Sequence, residues 1–155
     1  ALVYTSMLFL CGLYSANIVL IVSNLLKQVK SQLEFMEMTE HLKMTWRAIM
    51  QDKNHHIIVK KLDGKIVSSC VCVIIPNLTR NIRPYAFIEN VVTHSDYRGK
   101  GYATECLNYA KQIAENTNCY KMMLLTGSKK KEILNFYGNA RYNSTDKTAF
   151  IQWIE

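Results

Sequence analysis

One junction limits the folds open to this chain more than any other. A β-rich apolar run, Tyr85–Thr93, leads through the turn His94-Ser95-Asp96-Tyr97 into Arg98-Gly99-Lys100-Gly101, and a helical pattern follows from Tyr102 to Glu115. In that pattern Ala103, Leu107, Ala110 and Ala114 fall on one line, with Tyr102, Cys106, Tyr109 and Ile113 beside it. A strand that enters a helix through glycines is suited to an anion. The first-turn N–H groups have no partner inside the helix, and the helix dipole adds partial positive charge there. Glycine lets the backbone approach closely, and Arg98 and Lys100 add full charges. The loop is neither GxxxxGK[ST] nor GxGxxG, so a nucleoside-triphosphate or dinucleotide site of those kinds is excluded. The plain alternative is a glycine turn whose basic residues are simply solvated.

Charge favours the first reading. The 155 residues carry 19 Lys and Arg against 12 Asp and Glu, a formal net charge of +7. Residues 98–131 hold seven basic and two acidic groups, so five of the seven net charges lie there. A basic chain usually meets something anionic. A nucleic-acid or membrane-surface module would interleave basic residues with exposed aromatics or show a basic amphipathic helix. The helix after the loop is apolar over a wide face, with Lys111 and two acids, so no nucleic acid is expected.

The length suits one domain, 1–155. Thr39–Met50 reads as a helix capped by Thr39, with Leu42, Trp46, Ile49 and Met50 on one face. His56–Leu62 and Lys65–Ile75 are strands joined by Asp63-Gly64, a strong hairpin signal. Pro76 to Pro84 is a polar connection. Lys121–Thr126 reads as a strand ending at Gly127, Lys130–Asn139 as a helix, and Thr148–Ile154 as a closing strand. From the first helix onward the order is α, α, β, β, β, α, β, α, β: a single α/β domain with a mixed sheet.

Residues 1–26 have no charged side chain. Polar interruptions at Tyr4-Thr5-Ser6, Asn17 and Ser23-Asn24 argue for a strand near Leu2–Leu10 and then a helix capped by Ser15 or Asn17. Its apolar positions are Val19, Val22, Leu25, Leu26, Val29 and Leu33. A membrane anchor over 1–26 is the alternative; no secretory signal pattern is visible. The five cysteines form no ligand pattern of matched spacing, so no metal is expected. Free thiols fit a reducing compartment, and the expected location is cytoplasmic.

Arg98-x-x-Gly101-x-Ala103, placed after Val91-Val92-Thr93, resembles the R/Q-x-x-G-x-G/A motif of the GNAT superfamily of acyl-CoA-dependent N-acetyltransferases. The likeness runs from about His56 to the end of the chain. It implies a central, mostly antiparallel sheet that splays where acetyl-CoA binds. It also implies that the amides of Arg98, Gly99, Lys100, Gly101, Tyr102 and Ala103 hold the coenzyme pyrophosphate, with Thr104 nearby. Val92, Thr93 and His94 would pair their backbone with the pantetheine arm. The Phe87–Val92 strand and Cys119-Tyr120-Lys121 resemble the glucosamine-6-phosphate N-acetyltransferase branch, which implies an amino-sugar phosphate as the acceptor amine. A protein or peptide amine, an aminoglycoside and a polyamine stay open as acceptors, the polyamine less favoured because it would need an acidic cleft. Where the family has a Gly-aromatic pair after its helix-four tyrosine, this chain has Arg141-Tyr142. A non-catalytic acyl-CoA sensor is a further alternative, and a homodimer is left open.

Within that resemblance Tyr137 matches the tyrosine that protonates the departing sulfur. A phenol can do so because its pKa lies near that of a thiol; the plain alternative is a core aromatic. Asn135 would help to position the coenzyme arm or else face solvent. Glu89 is the candidate general base. It lies in an apolar strand, where a carboxylate either lines a cleft, with a raised pKa, or pairs with a cation such as Arg83. His94 is a rival base, close to the pyrophosphate turn. Lys129-Lys130-Lys131, Arg80 and Arg83 are candidates for phosphates of coenzyme or acceptor. A covalent acetyl-cysteine route is not expected, because no His is arranged beside a Cys.

Overall fold

Two residues set the register of the largest hairpin. Asp63 (φ 47°) and Gly64 (φ 79°) both occupy the left-handed region, as a type I′ turn requires. They join β2 (His55–Leu62) to β3 (Lys65–Ile75), with Leu62 facing Lys65. The structure, a computed structural model, describes Leu2–Tyr4 and residues 39–154. Along the chain it contains β1 (Leu2–Tyr4), α1 (Glu40–Gln51), β2, β3, β4 (Tyr85–Thr93), a 3-10 turn (Ser95–Tyr97), α2 (Tyr102–Asn116), β5 (Met122–Leu124) and α3 (Lys131–Asn139). The sheet order is β1-β2-β3-β4-β5; the first three pairings are antiparallel and β4–β5 is parallel.

Both faces of the sheet are covered. On one, Ile58, Cys70, Cys72, Ile74, Ala86 and Ile88 meet Cys106, Leu107, Ala110 and Ala114 of α2. Two alanines and a cysteine on that helix let it sit close to the strands. On the other, Ile57, Val59, Ile66, Val71 and Val92 pack against Trp46, Ile49 and Met50 of α1. Truncating a fully buried residue such as Ile88 to Ala would cost about 2–5 kcal/mol.

β4 departs from the regular ladder in a way that matters for the site. Ser69 faces Val92 and Val71 faces Glu89, so Asn90 and Val91 together oppose Cys70. This is a β-bulge, and Asn90 adopts φ 53° within it. The extra residue reverses the alternation of faces. Ile88 and Val91 both pack toward the α2 side, and Val92 turns to the α1 side.

The hairpin, the Thr39 cap and the order of elements from α1 to α3 agree with expectation, and three assignments change. Lys121–Thr126 pairs only over Met122–Leu124. Residues 148–154 form no strand, and Phe150, Ile151, Trp153 and Ile154 are exposed. They follow a turn in which Asn143 Oδ1 accepts the N–H groups of Thr145 (2.7 Å) and Asp146 (3.2 Å). β-propensity reports fit to neighbouring strands, and these residues join no ladder. Third, Arg83 does not pair with Glu89: its Nε donates to Asn118 O (3.1 Å) and its Nη2 to Cys119 O (3.0 Å). Of the strand expected near Leu2–Leu10, the described part is β1, Leu2–Tyr4. Its remainder, the helix after Ser15 or Asn17 and the alternative anchor lie outside the described residues. Among the described residues no helix is long and apolar enough to cross a membrane.

Candidate active site

Gly99 (φ 72°) and Gly101 (φ 81°) are both left-handed, so the loop after β4 takes a path that other residues resist. Gly101 is the N-cap of α2 and provides no side-chain cap. Glu105 N–H donates to Gly101 O at 3.0 Å. The N–H groups of Tyr102, Ala103 and Thr104 precede that bond and have no acceptor within the helix. Arg98 braces the loop, its Nε donating to Thr93 O at 3.2 Å, and Lys100 Nζ lies 5.1 Å from the Tyr97 ring centroid. His94 caps the 3-10 turn. Its Nδ1 accepts Asp96 N–H (3.3 Å), and its backbone N–H donates to Val67 O (2.9 Å). Its Nδ1 is thus engaged as a cap.

β4 and β5 pair only at Ala86–Met122, Phe87–Met123 and Ile88–Leu124. From Glu89 onward β4 has no ladder on that side among the described residues, which leave its backbone edge open up to the glycine loop. The bulge falls at this point of divergence. Ser68, on β3, holds the far end in place: its Oγ donates to Val92 O (2.9 Å) and lies 2.9 Å from Thr93 Oγ1. An open strand edge ending at a free helix N-terminus can accept an extended ligand with an anionic end.

Tyr137 of α3 is half-buried and packs against the α2-side core. Its ring lies 5.0 Å from Phe136 and 6.1 Å from Tyr142, the latter edge-on at 82°. Burial pushes its phenol up, and the negative charge of Glu89 adds to the shift. Glu89 itself is exposed, not partly buried as expected. Asn135 is also exposed. Lys129, Lys130 and Lys131 are exposed at the start of α3, and Arg80 lies over the Tyr120 ring at 5.9 Å. Cys70 and Cys72 are poor nucleophiles. Cys70 is held protonated by its hydrogen bond with Cys106 and by burial, and burial pushes Cys72 up to about 12. Among the described residues no cluster of three His, Cys, Asp or Glu could hold a metal.

Sequence reasoning missed Ser68 and Asn90. Two serines in an otherwise apolar strand were the available signal for the first. For Asn90 it was an asparagine, which tolerates the left-handed region, in mid-strand. Tyr142 Oη is buried and has no hydrogen-bond partner among the described residues. Its residue closes α3: Tyr142 N–H donates to Tyr137 O (3.0 Å) and Arg141 N–H to Gly138 O (2.8 Å), with Arg141 at φ 67°. The turn that the family's glycine usually makes is therefore kept, with arginine in the left-handed position.

A family model described as "Acetyltransferase (GNAT) family" matches residues 22–140. A curated glucosamine 6-phosphate N-acetyltransferase from Trypanosoma brucei brucei is 31% identical over 84 residues, which cover 54% of this chain and 55% of that protein. The chain thus matches about half the length of that relative. A solved structure from Agrobacterium tumefaciens str. C58, named as a proposed acetyltransferase, is 31% identical and superposes with a TM-score of 0.81, covering 90% of this chain and 96% of that one. The glucosamine-6-phosphate N-acetyltransferase of Arabidopsis thaliana shares the fold at 22% identity, with a TM-score of 0.73 over 85% of this chain and 88% of that one.

Proposed function

The chain belongs to the acetyltransferase (GNAT) family, and from that premise we propose that it transfers an acetyl group from acetyl-CoA to a primary amine within a ternary complex. The observation that carries this is the open edge of β4 beyond Ile88, running into a glycine loop and an uncapped helix N-terminus. The edge offers backbone partners to the pantetheine amides through Thr93, whereas the backbone of Val92 and the N–H of His94 turn toward β3. The amides from Gly99 to Thr104, with Arg98 and Lys100, offer donors and positive charge to the pyrophosphate.

In the reaction the amine lone pair attacks the thioester carbonyl, the C–S bond breaks, and the thiolate takes a proton. Tyr137 is the proposed proton donor. Its raised pKa keeps the phenol protonated through neutral and mildly alkaline pH. Glu89 is the proposed acceptor of the proton lost by the amine, directly or through water; it is exposed just beyond the point where β4 and β5 part. An amino-sugar phosphate is the proposed acceptor, supported by the names of the trypanosome and plant proteins and by the basic balance of the chain.

Isothermal titration with acetyl-CoA followed by a thiol-release assay over a panel of amines tests this reading. Micromolar binding and turnover with an amino-sugar phosphate are expected. No binding would end the coenzyme reading, and binding without turnover on any amine would favour an acyl-CoA sensor. Tyr137→Phe should lower kcat by about 100-fold or more with little change in acetyl-CoA affinity. Because the folded-state phenol pKa lies above its ordinary value, the proton donor stays available as pH rises to about 10. Full turnover by Tyr137→Phe in the thiol-release assay would contradict the assignment.

A further inference from the structure

We propose that Lys60 is a positioning residue for the anion site at the start of α2, and that it acts by neutralising Glu105. This rests on the coenzyme reading above. Glu105 stands in the first turn of α2. Helical side chains lean toward the N-terminus, so its carboxylate lies over the turn whose N–H groups must receive a phosphate. A negative charge there suits the empty helix, because it complements the dipole. It also competes with an incoming anion for the same positive potential.

Lys60 removes that competition from a different element. Its Nζ, on β2, forms an ion pair with Glu105 Oε2 and lies 5.6 Å from the ring centroid of Tyr102, the first residue of α2. The Lys60 side chain is 16% exposed and that of Glu105 41%. A lysine so withdrawn from water is held by its counter-charge. Its backbone position ties the pair to the rest of the site. Lys60 faces Ser68 across the sheet, and Ser68 faces Thr93 and donates to Val92 O. One cross-strand line therefore runs from the neutralised helix start to the open edge of β4.

The test is isothermal titration of the full chain with acetyl-CoA, using Lys60→Met, Glu105→Gln and the double variant. Lys60→Met, which frees the carboxylate, should weaken binding by about tenfold. Glu105→Gln should bind at least as tightly as wild type, and the double variant should recover most of the lost affinity. A pair that merely braced the fold would make all three variants weak, and a lysine that itself touched the phosphate would leave the double variant as weak as Lys60→Met; either result overturns the proposal. If Lys60→Met fails to fold, Glu105→Gln decides: weaker binding than wild type overturns it. A wild-type chain that does not bind acetyl-CoA defeats the coenzyme reading, and this inference with it. Wild-type binding without rescue defeats the inference alone.

Discussion

Two helix N-termini in this molecule are finished in opposite ways. α1 is closed by its own chain. Thr39 sits in extended backbone and its Oγ1 accepts Leu42 N–H at 3.1 Å, while Glu40 places a carboxylate in the first turn and pairs with Lys43. That arrangement satisfies a donor and complements the dipole. α2 opens on a left-handed glycine with no side-chain cap, after Arg98 and Lys100, and its first-turn acid is answered by Lys60 from β2. The open end lies where β4 has already lost its β5 partner. A terminus that carries its own cap contributes stability; one left without it holds donors ready for a ligand.

Gly101→Val should break the difference with the largest effect. A Cβ at Gly101 would meet nothing within 4 Å, so the strain comes from the backbone at φ 81°. A β-branched residue avoids that region, and the loop must refold. Acetyl-CoA affinity is expected to fall about 100-fold, with Tm lower by only a few degrees. Affinity close to wild type by titration would show that the open end is not the anion site. Salt probes the same terminus more gently. Raising ionic strength from about 0.05 to 0.5 M should weaken acetyl-CoA binding roughly fivefold, because exposed charges at Arg98 and Lys100 are screened. A salt-independent affinity would argue against an electrostatic role.

Thr39→Ala is the counterpart at the closed end. It should cost about 1 kcal/mol and lower Tm by about 2–4 °C in calorimetry, while acetyl-CoA affinity stays unchanged. An affinity loss would mean that the two termini are coupled through the sheet that separates them.

The contrast also explains what could be read from the sequence. Thr39, Asp63-Gly64 and the 98–103 loop were legible because their chemistry is local: a cap, a type I′ turn and left-handed glycines are each specified by two to four neighbouring residues. Features set by partners distant in the chain were not. Lys60 and Glu105 are 45 positions apart, and neither looks unusual where it stands. The point where β4 and β5 part depends on how long β5 stays paired, and Lys121–Thr126 carries more β-propensity than the sheet uses. Arg83 offered the right charge for Glu89, yet geometry gave it two carbonyls beyond α2.

The smallest expected effect concerns a helix C-terminus, where the same contrast between local fitness and kept geometry recurs. α3 ends in a Schellman arrangement whose left-handed residue is Arg141 at φ 67°. A side chain there costs about 1–2 kcal/mol in backbone strain. Glycine would remove that strain, but it would also give the unfolded chain more freedom, worth about 0.4–1 kcal/mol against folding. The two terms leave a net gain of about 0.5–1 kcal/mol for Arg141→Gly, a Tm rise of about 1–3 °C by calorimetry. Because the hydrogen bonds that close the helix come from backbone atoms, Tyr137 should keep its place and kcat should not change. A fall in Tm would show that the Arg141 side chain contributes a contact that outweighs its strain.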